Sequence, residues 1–321
     1  MLSLSWNAIR ACYPVYWILI SQYISNFCVA HMRLPDEILK SVAFLGIEGP
    51  EGNFVPYGTA LVARYPYKGR SFPFLVTAAH VVHQIRGETV SIRMNRTDGS
   101  AGIIMGPKRL AIIHKDPAVD IALLSMPASS DIYDFRYFDI SREGLERSRN
   151  VWPYDIGDEI STVGLYTSHY GATKNLPVVR TGNIAMMPSE PVQTNAGYVR
   201  AYLVEARSLA GLSGSPVFAN VPALTPSQKN QHAIEIRDQP LVSLIGIMLG
   251  YHVVSSAEDQ IPAPDERPLL ESRNTGLGVV APIETVLDLL ESDQATQRFN
   301  ASIAAEIISR DYTTGSAVQE T

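Results

Sequence analysis

Short β-like runs separated by Gly, Pro, Asn and Asp dominate the chain after Met32, and this pattern constrains the fold more than any other feature. About six runs rich in β-branched or apolar residues are followed by about six more, without amphipathic helical patterns between them. Parallel βαβ architectures need such helices, so the sequence favours an all-β protein built from barrels or sandwiches. The length of 321 residues suits either two modest domains or one large all-β unit, and 46% apolar residues are ample for a sizeable core.

The predicted strands fall into two sets, which polar segments separate. The first set lies at 41–47, 58–65, 72–79, 89–94, 109–114 and 120–126, and the second at 158–166, 178–187, 198–206, 215–219, 241–249 and 276–282. The polar, turn-rich segment 141–158 is interpreted as a linker between a first barrel at 32–140 and a second at 159–281. Two Pro-bearing stretches, 222–240 and 255–274, are interpreted as surface loops inserted in the second set.

The last part of the chain changes to a helical pattern. Val286, Leu287, Leu289 and Leu290 have helical spacing, which predicts a C-terminal helix at 282–292. The following tail, 293–321, becomes polar beyond about residue 310 and is predicted to be partly disordered.

Residues 11–30 at the front of the chain carry no charge, and three interpretations stay open. The run could be a signal peptide or membrane anchor, an ordered helix on the domain, or an extension before a natural start at Met32. Its apolar core, "VYWILI", is short for a signal peptide and much shorter than a membrane span. A dispensable extension at 1–31 is therefore favoured over membrane association.

Composition excludes several classes of function. The net charge is −6 with both signs well mixed, so no basic patch for nucleic acid is expected. The two cysteines, Cys12 and Cys28, both lie near the N-terminus, so no disulfide can form beyond them. There is no CxxC or HExxH motif, and neither a metal nor an organic cofactor is predicted. The compartment stays open, with the cytoplasm favoured over export.

Three short motifs carry the chemistry, in the order His, Asp, Ser. They are "TAAH" ending at His80, "DIALL" beginning at Asp120, and "GLSGSP" with Ser213 at its centre. A serine hydroxyl needs an adjacent base to become a nucleophile, and histidine has a suitable pKa for that base. A carboxylate can hold the imidazole in the required tautomer. The glycines beside Ser213 allow a tight turn.

From Ser41 to Glu291, these motifs and the ending "GLGVVAPIETVLDLL" resemble the trypsin-like (chymotrypsin-fold) serine peptidases, of the disulfide-free bacterial type. The resemblance implies two six-stranded Greek-key β-barrels with the site between them. It also implies hydrolysis of peptide bonds in a polypeptide substrate through an acyl-enzyme. The backbone N–H groups of Gly211 and Ser213 would form the oxyanion hole, and the strand at 244–252 would line the substrate groove.

The same resemblance points to three substrate-binding candidates: Arg207, Gly250 and Tyr251. Arg207 lies where the family often sets primary specificity and would favour an acidic side chain, although an exposed or salt-bridged arginine is the simpler interpretation. Leu212 occupies the position where many members have an aspartate that pairs with a newly cleaved N-terminus. Activity without such cleavage is therefore expected.

Several alternatives compete with these assignments. Asp116 precedes Pro117 and rivals Asp120, and Ser215 rivals Ser213. An α/β-hydrolase esterase is discounted because its acid and histidine follow the serine in the chain. The remaining functional alternative is a catalytically inactive homologue that binds peptides. The other histidines lack motif context and are expected in surface positions: His83, His114, His169, His232 and His252.

Overall fold

The computed structural model describes residues 34–49, 52–151, 153–194, 197–206, 211–221, 224–226, 234–236, 241–254 and 273–316. The described elements belong to one compact unit, Pro35–Thr321. The extension 1–31 and Arg207 lie outside the described residues. Most of the loops predicted at 222–240 and 255–274 lies outside them as well.

The first half forms one mainly antiparallel sheet, in the hydrogen-bonded order β5-β4-β1-β2-β3-β7-β6, with β8 parallel to β2. Its strands are β1 Val42–Glu48, β2 Phe54–Tyr67, β3 Arg70–Ala78, β4 Thr89–Asn95, β5 Ala101–Pro107, β6 Ile112–Ile113, β7 Ile121–Ser125 and β8 Phe138–Asp139. Two short helices, α1 Asp36–Leu39 and α2 Ala79–Gln84, and two 3₁₀ turns, Lys108–Leu110 and Pro117–Val119, complete this half.

The prediction of a six-stranded first barrel needs correction. The sheet has eight strands, and its terminal strands β5 and β6 are not paired with each other in the part of the chain that the structure describes. Only a 3₁₀ turn separates these strands along the chain, and β6 has just two residues. So short a strand offers few main-chain groups for closing the sheet.

The second half contains a closed six-stranded barrel, as predicted, in the order β10-β13-β18-β17-β14-β9. Its strands are β9 Glu159–Gly164, β10 Val178–Met186, β13 Tyr202–Glu205, β14 Pro216–Val221, β17 Leu241–Val254 and β18 Arg273–Pro282. Two hairpins stand outside the barrel: β11 Pro191–Thr194 with β12 Gly197–Arg200, and β15 Leu224–Pro226 with β16 Ile234–Ile236.

The segment predicted as an irregular linker contains helix α3, Arg142–Val151. Ser141 begins it as a cap, because its hydroxyl accepts a hydrogen bond from the Gly144 N–H at 3.1 Å. Three contacts then hold the helix on the second half: Ser148 Oγ lies 2.7 Å from Ser243 Oγ, Arg142 donates to Glu291 at 2.5 Å, and Arg149 Nη2 lies 2.7 Å from Glu284 Oε1. These contacts compensate for the low apolar content that favoured a linker.

The C-terminal helix predicted at 282–292 is present as α4, Ile283–Leu290. The tail predicted to be partly disordered forms helix α5, Asp293–Ser316, and 317–321 lie outside the described residues. Phe299 of α5 is buried against the β2–β3 hairpin of the first half, with its ring centroid 4.7 Å from that of Phe72. Burial of this aromatic cluster explains why a polar sequence is ordered there. None of the described helices is both long and apolar enough to cross a bilayer.

Candidate active site

His80 lies at the point where β3 gives way to helix α2. Ala78 and Ala79 before it are buried, so the main chain packs closely at this corner. Asp120 then holds the corner from the other side. The Ala79 N–H donates to its carbonyl oxygen at 2.9 Å, and the His80 N–H donates to its Oδ1 at 2.8 Å. The small residues in "TAAH" thus allow the main chain to approach Asp120 closely, and this contact fixes the backbone position of His80.

Asp120 presents its carboxylate to the His80 ring. It follows the 3₁₀ turn Pro117–Val119 and adopts a left-handed conformation, with φ of 49°. Its Oδ2 lies 2.6 Å from His80 Nδ1, and the exposed fractions of the His80 and Asp120 side chains are 33% and 19%. This contact holds the ring by one nitrogen and leaves Nε2 as the nitrogen available to another group.

Asp116, the rival carboxylate, has a different role. Its side chain accepts a hydrogen bond from the Ala118 N–H at 2.9 Å and so caps the turn that precedes Asp120. The Asp116 N–H in turn donates to His114 Nδ1 at 3.1 Å. The structure therefore brings Asp120, rather than Asp116, against His80.

Ser213 lies in the tight turn before β14. Gly211 and Gly214 have φ of 97° and 84°, in the left-handed region that favours glycine. A Cβ at Gly214 would lie 2.0 Å from the Thr59 carbonyl oxygen, so any side chain there is also excluded by contact. The Ser213 hydroxyl donates to the Leu249 carbonyl oxygen at 3.3 Å. It is thus turned toward β17, and within the described residues it is not hydrogen-bonded to His80.

The carbonyl groups of the Ser213 turn accept hydrogen bonds both from within the turn and from outside it. The Gly211 carbonyl accepts from Thr59 Oγ1 at 2.9 Å, and the Leu212 carbonyl accepts from the Ser215 N–H at 2.9 Å. The N–H groups of Gly211 and Ser213 have no acceptor among the described residues. These two N–H groups are therefore candidates for binding an oxyanion.

His80, Asp120 and Ser213 line one cavity of about 630 Å³. Gly250 and Tyr251 of β17 lie in its wall, and Tyr251 is 52% exposed. Two histidines expected at the surface, His83 and His114, also line the cavity. No group of three or more His, Cys, Asp or Glu side chains within the described ranges is arranged to bind a metal ion.

Two residues of the site carry no signal that sequence inspection detected. Thr59 contacts the Ser213 turn, but in the sequence it is one residue of a predicted strand. Leu249 provides the carbonyl that binds the Ser213 hydroxyl, and its side chain gives no hint of that main-chain role. The role of Arg207 stays a prediction, because this residue lies outside the described part of the chain.

Among the solved structures similar to this chain are two at low sequence identity. The crystal structure of the MamO protease domain from Magnetospirillum magneticum (apo form) has a TM-score of 0.47 and 16% identity, covering 79% of this chain and 98% of that one. A serine-to-alanine mutant of Rv3671c from M. tuberculosis H37Rv, in an inactive form, has a TM-score of 0.43 and 17% identity, covering 82% and 90%. No family model and no curated protein matches the sequence.

Proposed function

We propose that this protein is a serine endopeptidase that hydrolyses peptide bonds through an acyl-enzyme intermediate. The observation that carries the proposal is the 2.6 Å contact between Asp120 Oδ2 and His80 Nδ1, in a cavity that Ser213 also lines. With Nδ1 held, Nε2 is the ring nitrogen left to accept the Ser213 proton. Asp120 would stabilise the imidazolium that then forms.

The first chemical step would be attack of Ser213 Oγ on the scissile carbonyl carbon. The hydroxyl exchanges its hydrogen bond to Leu249 for one to His80 Nε2, which accepts the proton as the bond forms. The N–H groups of Gly211 and Ser213 would donate hydrogen bonds to the negatively charged carbonyl oxygen. One such donor contributes about 2.7–4 kcal/mol to transition-state stabilisation.

The second half of the reaction reverses these roles. His80 gives its proton to the departing amine nitrogen, which leaves the acyl group on Ser213 Oγ. A water molecule then attacks the ester carbon while His80 accepts its proton. Collapse of the second tetrahedral species releases the acid product and returns the proton from His80 to Ser213 Oγ. No atom or charge has to come from a metal or organic cofactor in this scheme.

An extended polypeptide is the substrate class that the cavity wall favours. β14 pairs with β17 only between Leu241 and Ile247, while β18 lies along the opposite side of β17. Residues 249–251 of β17 therefore continue past the end of β14 and line the cavity. Main-chain groups at such a strand end can pair with a peptide.

A fluorophosphonate probe followed by peptide-library cleavage tests the proposal. We expect covalent labelling of the wild-type chain and its loss in Ser213→Ala, with a fall in turnover of several orders of magnitude. Ser215→Ala is the matched control, since Ser215 is completely buried and its hydroxyl has no described partner. Labelling that persists in Ser213→Ala but disappears in Ser215→Ala would show that Ser215, and not Ser213, is the nucleophile.

The second candidate function is a catalytically inactive homologue that binds peptides. The observation in its favour is the Ser213 hydroxyl, which donates to Leu249 rather than to His80. A folded wild-type chain that binds library peptides, yet never reacts with the probe and never cleaves, would replace the peptidase proposal with this one.

A further inference from the structure

Thr59 of β2 connects the first half of the molecule to the Ser213 turn. Its side chain is completely buried, and Oγ1 donates to the Gly211 carbonyl oxygen at 2.9 Å. The same oxygen accepts a hydrogen bond from the Leu165 N–H at 2.8 Å. The Thr59 N–H donates to the Ser213 carbonyl oxygen at 2.9 Å. One residue thus contacts the turn at two carbonyls and binds the segment after β9 as well.

These contacts fix the orientation of the peptide planes in the turn. A peptide unit is planar, so a bound carbonyl also sets the direction of the N–H in the same unit. The Leu212 carbonyl is held by the Ser215 N–H, which directs the N–H of Ser213. The Gly211 carbonyl, held by Thr59 Oγ1, shares its peptide unit with the Leu212 N–H, and the Ser213 carbonyl, held by the Thr59 N–H, shares its unit with the Gly214 N–H. Thr59 thus fixes the two peptide units on either side of the one that carries the Ser213 N–H.

The position between Gly211 and Ser213 carries no charge. Leu212 is buried, with 1% of its surface exposed, and it can accept no ion pair from an ammonium group. An ammonium buried beside it would stay unpaired, which is strongly unfavourable. The turn must therefore be ordered by neutral contacts. Thr59, in the first half of the molecule, provides two hydrogen bonds to this turn of the second half.

From this arrangement we infer that Thr59 is a positioning residue that holds the peptide unit carrying the Ser213 N–H, one of the two proposed oxyanion donors, in its competent orientation. Its hydroxyl does what an ion pair at position 212 would otherwise do, so the chain needs no cleavage to order the turn. The inference rests on the proposed peptidase function for its effect on turnover. Its effect on the turn itself is independent of that function.

Thr59→Val is the decisive variant, because it removes the hydroxyl and keeps the shape of the side chain. The kcat should fall by about 10-fold to 100-fold, as expected when a catalytic group is displaced by a fraction of an ångström to an ångström. The KM should change less than about twofold, since Thr59 does not line the cavity. Thr59→Ser keeps the hydroxyl and should restore kcat to near the wild-type value.

Ser41→Ala is the matched control for loss of a buried hydroxyl. Ser41 is 2% exposed, and its hydroxyl donates to the Ile38 carbonyl at 2.8 Å, away from the cavity. We expect a lower Tm with unchanged kcat. If Thr59→Val fails to fold, Thr59→Cys replaces it, because a thiol is a weak donor and should give a loss between those of Ser and Val. Wild-type kcat in a folded Thr59→Val or Thr59→Cys variant would overturn the inference.

Amide hydrogen exchange separates failure of this inference from failure of the proposed function. In Thr59→Val, the N–H groups of Leu165, Gly214 and Ser215 should exchange faster than in the wild type, while those of β10 keep their protection. This comparison needs no activity. An inert wild-type chain would refute the peptidase proposal alone, whereas unchanged exchange at these three groups would refute the role of Thr59.

Discussion

At the scale of single residues, the three proposed catalytic groups share one property, which is that each stands at the end of an element. His80 follows β3, Asp120 precedes β7, and Ser213 precedes β14. Each also carries a local signal, such as the alanines before His80 or the glycines around Ser213, so the sequence alone could propose them. Thr59 carries none, because its importance depends on a fold that brings residues 165 and 211 against it.

Exchange of the two neighbouring carboxylates for amides distinguishes their roles. Asp120→Asn should reduce kcat by about 10⁴-fold, because an amide cannot keep His80 in the required tautomer. Asp116→Asn should leave turnover nearly unchanged, since the amide oxygen can still accept from the Ala118 N–H. Steady-state kinetics on one peptide substrate measures both. If Asp116→Asn proves the more damaging change, the carboxylate has been assigned wrongly.

Thr162 of β9 is a position where a substitution should increase stability. Its side chain is 1% exposed, and its hydroxyl has no hydrogen-bond partner among the described residues. Thr162→Val removes this unsatisfied group while keeping the shape, so the free energy of unfolding should rise by about 1 kcal/mol. Urea titrations of both proteins measure the change. A loss of stability would mean that the hydroxyl has a partner.

At the scale of elements, a buried arginine contributes to holding the segment 165–177, between β9 and β10, on the first half. Arg93 of β4 is 4% exposed and donates to Asn175 Oδ1 at 2.5 Å and to the Gly171 carbonyl at 2.9 Å. The Tyr170 ring lies 5.1 Å from its guanidinium. Burial lowers the pKa of Arg93 from its ordinary value, since these partners are neutral and compensate only part of the desolvation.

Loss of Arg93 should therefore be costly. Arg93→Met should reduce the free energy of unfolding by about 2–4 kcal/mol, because it leaves Asn175 and the Gly171 carbonyl without their buried donor. Arg93→Lys should recover little of this, as an ammonium cannot reproduce the planar fork. Arg147→Met is the control, since the Arg147 side chain is 74% exposed and should contribute less than about 0.5 kcal/mol. Equal losses at the two positions would contradict this account.

Elements were predictable where the pattern was strong and local. The runs around β1 to β4 alternate or stay apolar over several residues, and the structure has strands there. β5 was missed because "AGIIMGP" begins and ends with Gly or Pro neighbours that read as turns. The sequence around α3 is mostly polar and did not indicate a helix, and its partners Ser243 and Glu291 lie more than 90 residues away.

At the scale of the whole molecule, the strands of both halves and the three proposed catalytic residues all lie after residue 34. Deletion of residues 1–31 should therefore leave a soluble chain with unchanged kcat, and intact chains should be active without cleavage at the start of the domain. A second deletion, through Glu48, removes β1 from between β2 and β4 and should abolish folding. Circular dichroism and turnover of the two truncated proteins measure this. An inactive or insoluble chain lacking only 1–31 would show that this segment packs on the core.

The two halves depend on each other at several points along the sequence. Thr59 of the first half holds the Ser213 turn of the second, and Arg93 holds the segment 165–177. The sequence could not show this interdependence, since a pattern of strands describes each half separately. The predicted closure of the first barrel fails for a different reason, since β5 and the two-residue strand β6 lie close in sequence but are not paired with each other in the described part of the chain.

The packing of Phe299 on the β2–β3 hairpin has a consequence for synthesis on the ribosome. A nascent chain emerges from its N-terminus, and domains usually fold as they appear. Here the hairpin around Tyr67 and Phe72 receives its aromatic cover only after residue 299 has left the exit tunnel. Ribosome-bound chains halted before residue 293 should therefore be cut in this hairpin by added protease, whereas released full-length chains should resist. The first half is therefore translated early, but its β2–β3 hairpin reaches its final packing only after the C-terminal helix has been synthesised.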